Sequence, residues 1–138
     1  MAVSGNQVVV NTSGKLGVVA SFKRLKEAIK PMDKASKAIL SLRPRAFHYR
    51  EKIDPGGTPQ FGLIAEEVAK VNPDLIVRDD EGKAYTVGYD AVNAMLLNEF
   101  LKEHKKVEEQ GATTAQLKKQ IDNLTAIAQK VSSPLEEK

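Results

Sequence analysis

Ala20-Ser21-Phe22-Lys23-Arg24-Leu25-Lys26-Glu27-Ala28-Ile29-Lys30-Pro31 is the stretch on which the fold of this chain hinges. An apolar, strand-like run (Leu16, Val18, Val19) ends just before it, and a strongly basic segment opens within it. Phe22, Leu25 and Ile29 recur at helical spacing, which predicts a helix from Phe22 to Lys30 stopped by Pro31. The segment also holds one hydroxyl, Ser21, and an amine five residues on, Lys26. A serine hydroxyl is a poor nucleophile until an adjacent base takes its proton, and a desolvated lysine can be that base. The same residues also describe a serine N-cap followed by a solvated face of Lys23, Arg24, Lys26 and Lys30.

Upstream, Asn6–Asn11 reads as a strand, Thr12–Lys15 as a turn and Leu16–Val19 as a returning strand. A lone hairpin is marginal in water, so residues 1–20 are expected to be the end of a larger β structure. Downstream, Asp33 is expected to cap a second helix with Ala35, Ala38, Ile39 and Leu42 as its inner stripe. Ala46–Arg50 alternates as a half-buried strand with Phe47 and Tyr49 on one side and His48 pointing outward. After a loop at Glu51–Pro59, Gln60–Ile64 pairs back as a strand. Ala65–Val71 is a short helix carrying Glu66 and Glu67, and Leu75–Arg78 with Ala84–Val87 makes the clearest hairpin.

Asp90 is expected to cap a long helix through Val92, Met95, Leu96, Phe100 and Leu101. Its apolar face then narrows to a coiled-coil seam: Leu97, Phe100, His104 and Val107, then Leu117, Ile121, Leu124, Ala128 and Val131. The two registers do not join, so a phase break is expected between Gly111 and Thr114. A stripe this thin is too narrow for burial by its own domain and predicts self-association. The competing reading is a frayed, solvated tail after Gly111.

The chain has 138 residues and no cysteine, which excludes disulfides, thiolate chemistry and cysteine-based zinc sites. His48 and His104 lack a second ligand at metal spacing, so neither a metal nor a cofactor is expected. No apolar run approaches the roughly 20 residues that span a bilayer, and no membrane partner is expected. The net charge of +3 conceals a polarity. Residues 1–50 hold ten basic and two acidic residues, whereas residues 51–100 hold four and ten. A nucleic-acid-binding domain is one reading of the basic part. With only Phe22, Phe47 and Tyr49 as aromatics there, the acidic middle of this or a neighbouring copy is preferred as the partner, and nucleic acid is not expected.

Taken together, the segments resemble the C-terminal intramolecular chaperone and auto-processing domain of phage endosialidase tailspikes and tail fibres. That family also occurs in some bacterial surface proteins and in a membrane-anchored eukaryotic transcription factor. Its opening, Ser-(Asp/Ser)-x-Arg-x-Lys-x-x-Ile-x-Pro, is matched by Ser21 to Pro31. Leu42-Arg43-Pro44-Arg45-Ala46-Phe47-His48-Tyr49 resembles its Leu-x-Pro-x-x-Phe-x-Tyr strand. Gly62-Leu63-Ile64-Ala65-Glu66-Glu67-Val68 resembles its Gly-Leu-Ile-Ala-Gln-Glu-Val helix start, and Val87-Gly88-Tyr89-Asp90 its entry to the long helix. The resemblance covers about Gly14 to Lys106.

The resemblance implies an α+β fold of small antiparallel strands, hairpins and short helices that ends in a long helix forming a trimeric coiled coil. It implies three parts: residues 1–20 as the end of a β-rich stalk, 21–106 as the chaperone and auto-processing domain, and 107–138 as the coiled-coil extension. The implied function is a homotrimeric folding aid for an upstream fibre, released by a single-turnover cut between Ala20 and Ser21. Ser21 would be the nucleophile and Lys26 the base, with Arg24 and Glu67 in support. Glu67 is expected to cap or pair with the basic opening helix. Either a virion precursor in a host cytoplasm or a bacterial cell-surface protein fits as the location.

On a regular helix, residues five apart lie about 140° apart after one turn. Ser21 is therefore expected in non-helical backbone with Lys26 reaching back, or the pair forms across two protomers. A lysine acts as a base only when neutral, a state that burial at a trimer interface and neighbouring cations favour. One departure stands out: Phe22 replaces the Asp or small polar residue common after the family's serine, which removes an orienting carboxylate. The alternative is a non-cleaving trimerisation module that keeps its N-terminal segment.

Overall fold

The computed structural model describes residues 8–11 and 13–132, in two compact units that divide between Pro31 and Met32. In the first, β1 (Val9–Val10) and β2 (Leu16–Gly17) pair antiparallel, with Val9 opposite Gly17 and Val10 opposite Leu16. Asn11 builds the turn: its Oδ1 accepts from the amides of Ser13 at 3.0 Å and Lys15 at 2.9 Å. Part of the strand expected from Asn6, and Thr12 of its turn, lie outside the described residues.

The helix expected from Phe22 to Lys30 does not form. Lys23–Leu25 makes a single 3-10 turn, Lys26 is extended (φ −126°, ψ 140°) and Ala28 is left-handed (φ 49°). So short a helix is marginal without an apolar surface to pack on. Phe22, Leu25 and Ile29 remain 60%, 64% and 62% exposed, so that support is missing here.

The second unit opens with a 3-10 helix, Asp33–Ser41. Asp33 does not cap it as expected; it is the helix's first residue, with a left-handed backbone (φ 47°), and Met32 stands at the cap without a side-chain bond. The inner face also differs from the α-type stripe. Three residues per turn align Ser36, Ile39 and Leu42, so Ser36 is buried while Ala35 is exposed.

β3 (Arg45–Phe47) and β4 (Gln60–Gly62) pair antiparallel with Ala46 opposite Phe61. Tyr49 lies beyond β3 and meets the Phe47 ring edge-on at 5.6 Å. His48 has a role that its alternation did not indicate: Nδ1 sits 2.7 Å from the carbonyl oxygen of Gly57 and ties down the intervening loop. A carbonyl only accepts, so Nδ1 carries the proton.

α1 (Ala65–Val71) leads through a 3-10 turn at Pro73–Leu75, capped by Asn72, into the hairpin of β5 (Ile76–Arg78) and β6 (Ala84–Val87). Asp79 Oδ1 organises that turn by accepting from the amides of Glu81 and Lys83. Val68, Leu75 and Val87 form the buried core, with Leu42, Leu63, Ala65, Ile76, Val92 and Met95 packed around it. Each such side chain contributes about 1.5–3 kcal/mol by leaving water.

α2 runs without interruption from Tyr89 to Ser132. Gly88 accepts the first helical amides, so Asp90 lies in the first turn, where its charge faces the positive end of the helix, and does not cap it. The helix continues through Gly111 to Thr114 and does not fray there. At about 1.5 Å per residue its 44 residues extend about 66 Å. From Glu103 to Ser132 every residue is exposed. The described residues thus give an α+β protein of paired short strands with a long C-terminal helix.

Candidate functional site

Extended backbone on both sides of the Lys23–Leu25 turn does what a helix could not. Phe22 (φ −66°, ψ 138°) and Lys26 flank the turn, and the Lys26 amide closes it on the Lys23 carbonyl at 3.0 Å. Lys26 thereby reaches back, and its Nζ donates to Ser21 Oγ at 2.9 Å. The pair lies within one chain, and both residues are exposed in it. Ala20, the residue before Ser21, is exposed too.

Arg24 and Phe22 are brought together with each other: the guanidinium lies over the Phe22 ring, 5.1 Å from its centre. That contact, worth about 0.5–1 kcal/mol at an exposed site, holds the ring to one side of the turn. Glu67 forms a bidentate ion pair with Arg45 of its own unit. Arg45 donates from Nε to Oε2 at 3.0 Å and from its terminal nitrogen to Oε1 at 2.8 Å. Hydrogen bonding to Arg45 holds the Glu67 carboxyl below the usual range, with Arg43 and Lys70 adding to the effect. The same bond raises Arg45. This ties α1 to β3.

Residues 21–77 match the family model described as "Chaperone of endosialidase". That segment belongs to the endosialidase-chaperone family. No curated protein matches the chain. The endosialidase-chaperone match begins at Ser21 and takes in Lys26, Pro31, the Leu42–Tyr49 strand motif and the Gly62–Val68 motif. Val87–Asp90 and the whole of α2 lie beyond it.

Geometry explains two motif positions outside the Ser21–Lys26 pair. Tyr89 Oη accepts the Leu63 amide at 3.1 Å, which joins the start of α2 to the Gly62–Val68 motif. A Cβ on Gly62 would stand 2.9 Å from that hydroxyl, so only glycine leaves it room.

Periodicity did not expose a second polar group. Ser36 and Glu99 are buried, and Ser36 Oγ meets the Glu99 carboxylate, Asn98 Nδ2 and Lys102 Nζ. Hydrogen bonds from Lys102 first and Ser36 second hold the Glu99 carboxyl below its usual range. The available signal was a polar Asn98-Glu99 step inside the apolar run from Met95 to Leu101.

Proposed function

We propose that this chain is an intramolecular chaperone that trimerises, folds an upstream β-rich fibre or spike, and then cuts itself free between Ala20 and Ser21. The observation that carries the reading is the 2.9 Å contact from Lys26 Nζ to Ser21 Oγ at the start of the family segment. In the cut, neutral Lys26 takes the Ser21 proton as Oγ attacks the Ala20 carbonyl carbon. The Ala20–Ser21 amide breaks, leaving an ester on Oγ and a free Ser21 amine, to which the proton passes. Water then hydrolyses the ester, giving the Ala20 carboxylate, the restored hydroxyl and a product that begins at Ser21.

Trimer formation would provide the remaining condition by covering Lys26 and favouring its neutral form. Support for association is the uncovered α2 seam, with Leu117, Ile121 and Leu124 at 52%, 60% and 65% exposure. A clamp of this kind raises the effective concentration of three chains whose interwoven β contacts form slowly. Its removal leaves the finished fibre kinetically trapped.

A second reading, a trimerising module that stays attached, is favoured by Phe22. The Arg24–Phe22 pair occupies the position after the serine, and no carboxylate stands there to orient Ser21. Intact mass of the purified chain, with Ser21→Ala and Lys26→Ala variants, separates the two. A product beginning at Ser21 in the parent and absent from both variants supports the self-cleaving reading. A full-length parent leaves the non-cleaving module.

A further inference from the structure

Within the second unit, Arg45 takes both oxygens of Glu67, and two further cations stand beside that pair. Arg43 follows the end of the 3-10 helix, Lys70 lies in the last turn of α1, and both are exposed. After the Arg45 hydrogen bond, both add to the lowering of the Glu67 carboxyl, so both lie within its field. Yet among the described residues neither side chain forms a hydrogen bond or an ion pair, and the Ser41 hydroxyl is likewise unpartnered. Glu66, one turn before Lys70 on α1, does not pair with it either.

These free donors share a cleft of about 450 Å³. Ser41, Leu42 and Arg43 line it on one side, and Val68, Lys70 and Val71 of α1 on the other, next to Glu67. Its volume falls in the range of sites that hold small ligands. Val68 belongs to the buried core and Leu42 packs against it, so the apolar part of the cleft rests on a fixed floor. Arg43, Arg45 and Lys70 against the single carboxylate of Glu67 leave two positive charges in excess around it.

Exposed ion pairs contribute little by themselves, so a bare anion would gain little here. A neutral apolar molecule would use the Leu42, Val68 and Val71 surface and leave the cations idle. A ligand that carries both features uses the whole cleft: its apolar group leaves water, and its carboxylate meets the planar fork of an arginine. We infer that this cleft binds a carboxylate borne on an apolar group, with Arg43 and Lys70 holding the carboxylate and Leu42, Val68 and Val71 the apolar group. The C-terminus of an apolar peptide and a small aliphatic acid share that chemistry. The site does not depend on the self-cleaving reading.

Titration calorimetry on the full chain tests it with four probes: N-acetylleucine, its amide, acetyl-Ala-Ala-Leu with a free C-terminus, and inorganic phosphate. N-acetylleucine is expected to bind about tenfold tighter than either its amide or phosphate, because only the acid engages both halves of the cleft. Arg43→Gln and Lys70→Gln should each weaken it about fivefold, and both positions are exposed, so the core is left intact. Amide shifts in the nuclear magnetic resonance spectrum should be confined to 41–43 and 67–71. Tighter binding of the tripeptide than of N-acetylleucine supports the site with a peptide C-terminus as its source. Equal or weaker binding of the tripeptide supports it with a small acid as the source. No binding of either acid, equal binding of acid and amide, phosphate as the tightest probe, affinity unchanged in both variants, or shifts elsewhere overturns it.

Discussion

Gly62 and Tyr89 show how much one atom can decide. The Leu63 amide is satisfied only because the Tyr89 hydroxyl occupies the space a Cβ on residue 62 would need. Gly62→Ala should destabilise the fold by about 1–3 kcal/mol, the usual range for overpacking. Tyr89→Phe should lose about 1 kcal/mol with the hydrogen bond. Because both act on one contact, the double variant should lose less than the sum, measured as urea-unfolding free energies. An additive result would show that the hydroxyl does not set the steric limit.

Among the elements, the 3-10 helix and α2 make distinct predictions. Leu75, 1% exposed, lies at the centre of the core, and Leu75→Ala should lose about 2–5 kcal/mol. Leu40, off the 36–39–42 face and 71% exposed, should change stability by no more than about 0.5 kcal/mol as Leu40→Ala. A large loss there would mean that another copy covers that face. On α2, Gly111 sits in an exposed helix interior, where alanine is better by about 0.8–1 kcal/mol. Gly111→Ala should therefore raise helical circular dichroism and the melting temperature.

For the whole molecule, exposed apolar surface and acid sensitivity are the properties to measure. Phe61 and Tyr85 are 82% and 74% exposed, and the seam residues of α2 are exposed as well. Ile121→Lys combined with Leu124→Lys should reduce the proposed trimer to monomers in light scattering while leaving the unfolding of the 32–87 core in place. Unchanged trimers would move the association away from the seam. Glu67 and Glu99 both have carboxyls held below the usual range, by Arg45 and by Lys102 respectively. A depressed folded-state value stabilises the protein above the unfolded carboxylate value of about 4.3, and that contribution is lost as pH falls through the lower folded values. Thermal stability should therefore be flat near neutrality and fall below about pH 4.5, less steeply in Glu99→Gln.

Local chemistry made the strand pairs, α1 and the long helix legible in the sequence. Asn11 and Asp79 turns, the Asn72-Pro73 stop and three-to-four spacing each act within a few residues of themselves. Ser21 and Lys26 were legible as a pair for the same reason. Tertiary structure decided the rest. The Phe22–Lys30 pattern promised a helix, but unpacked apolar residues left a single turn, and that failure is what lets Lys26 reach Ser21. In the 33–41 segment a period of three replaced 3.6, putting Ser36 where Ala35 was expected. Its partners on α2 lie more than sixty residues away, as the 63-residue separation of Ser36 from Glu99 shows, and no local pattern encodes a contact at that distance.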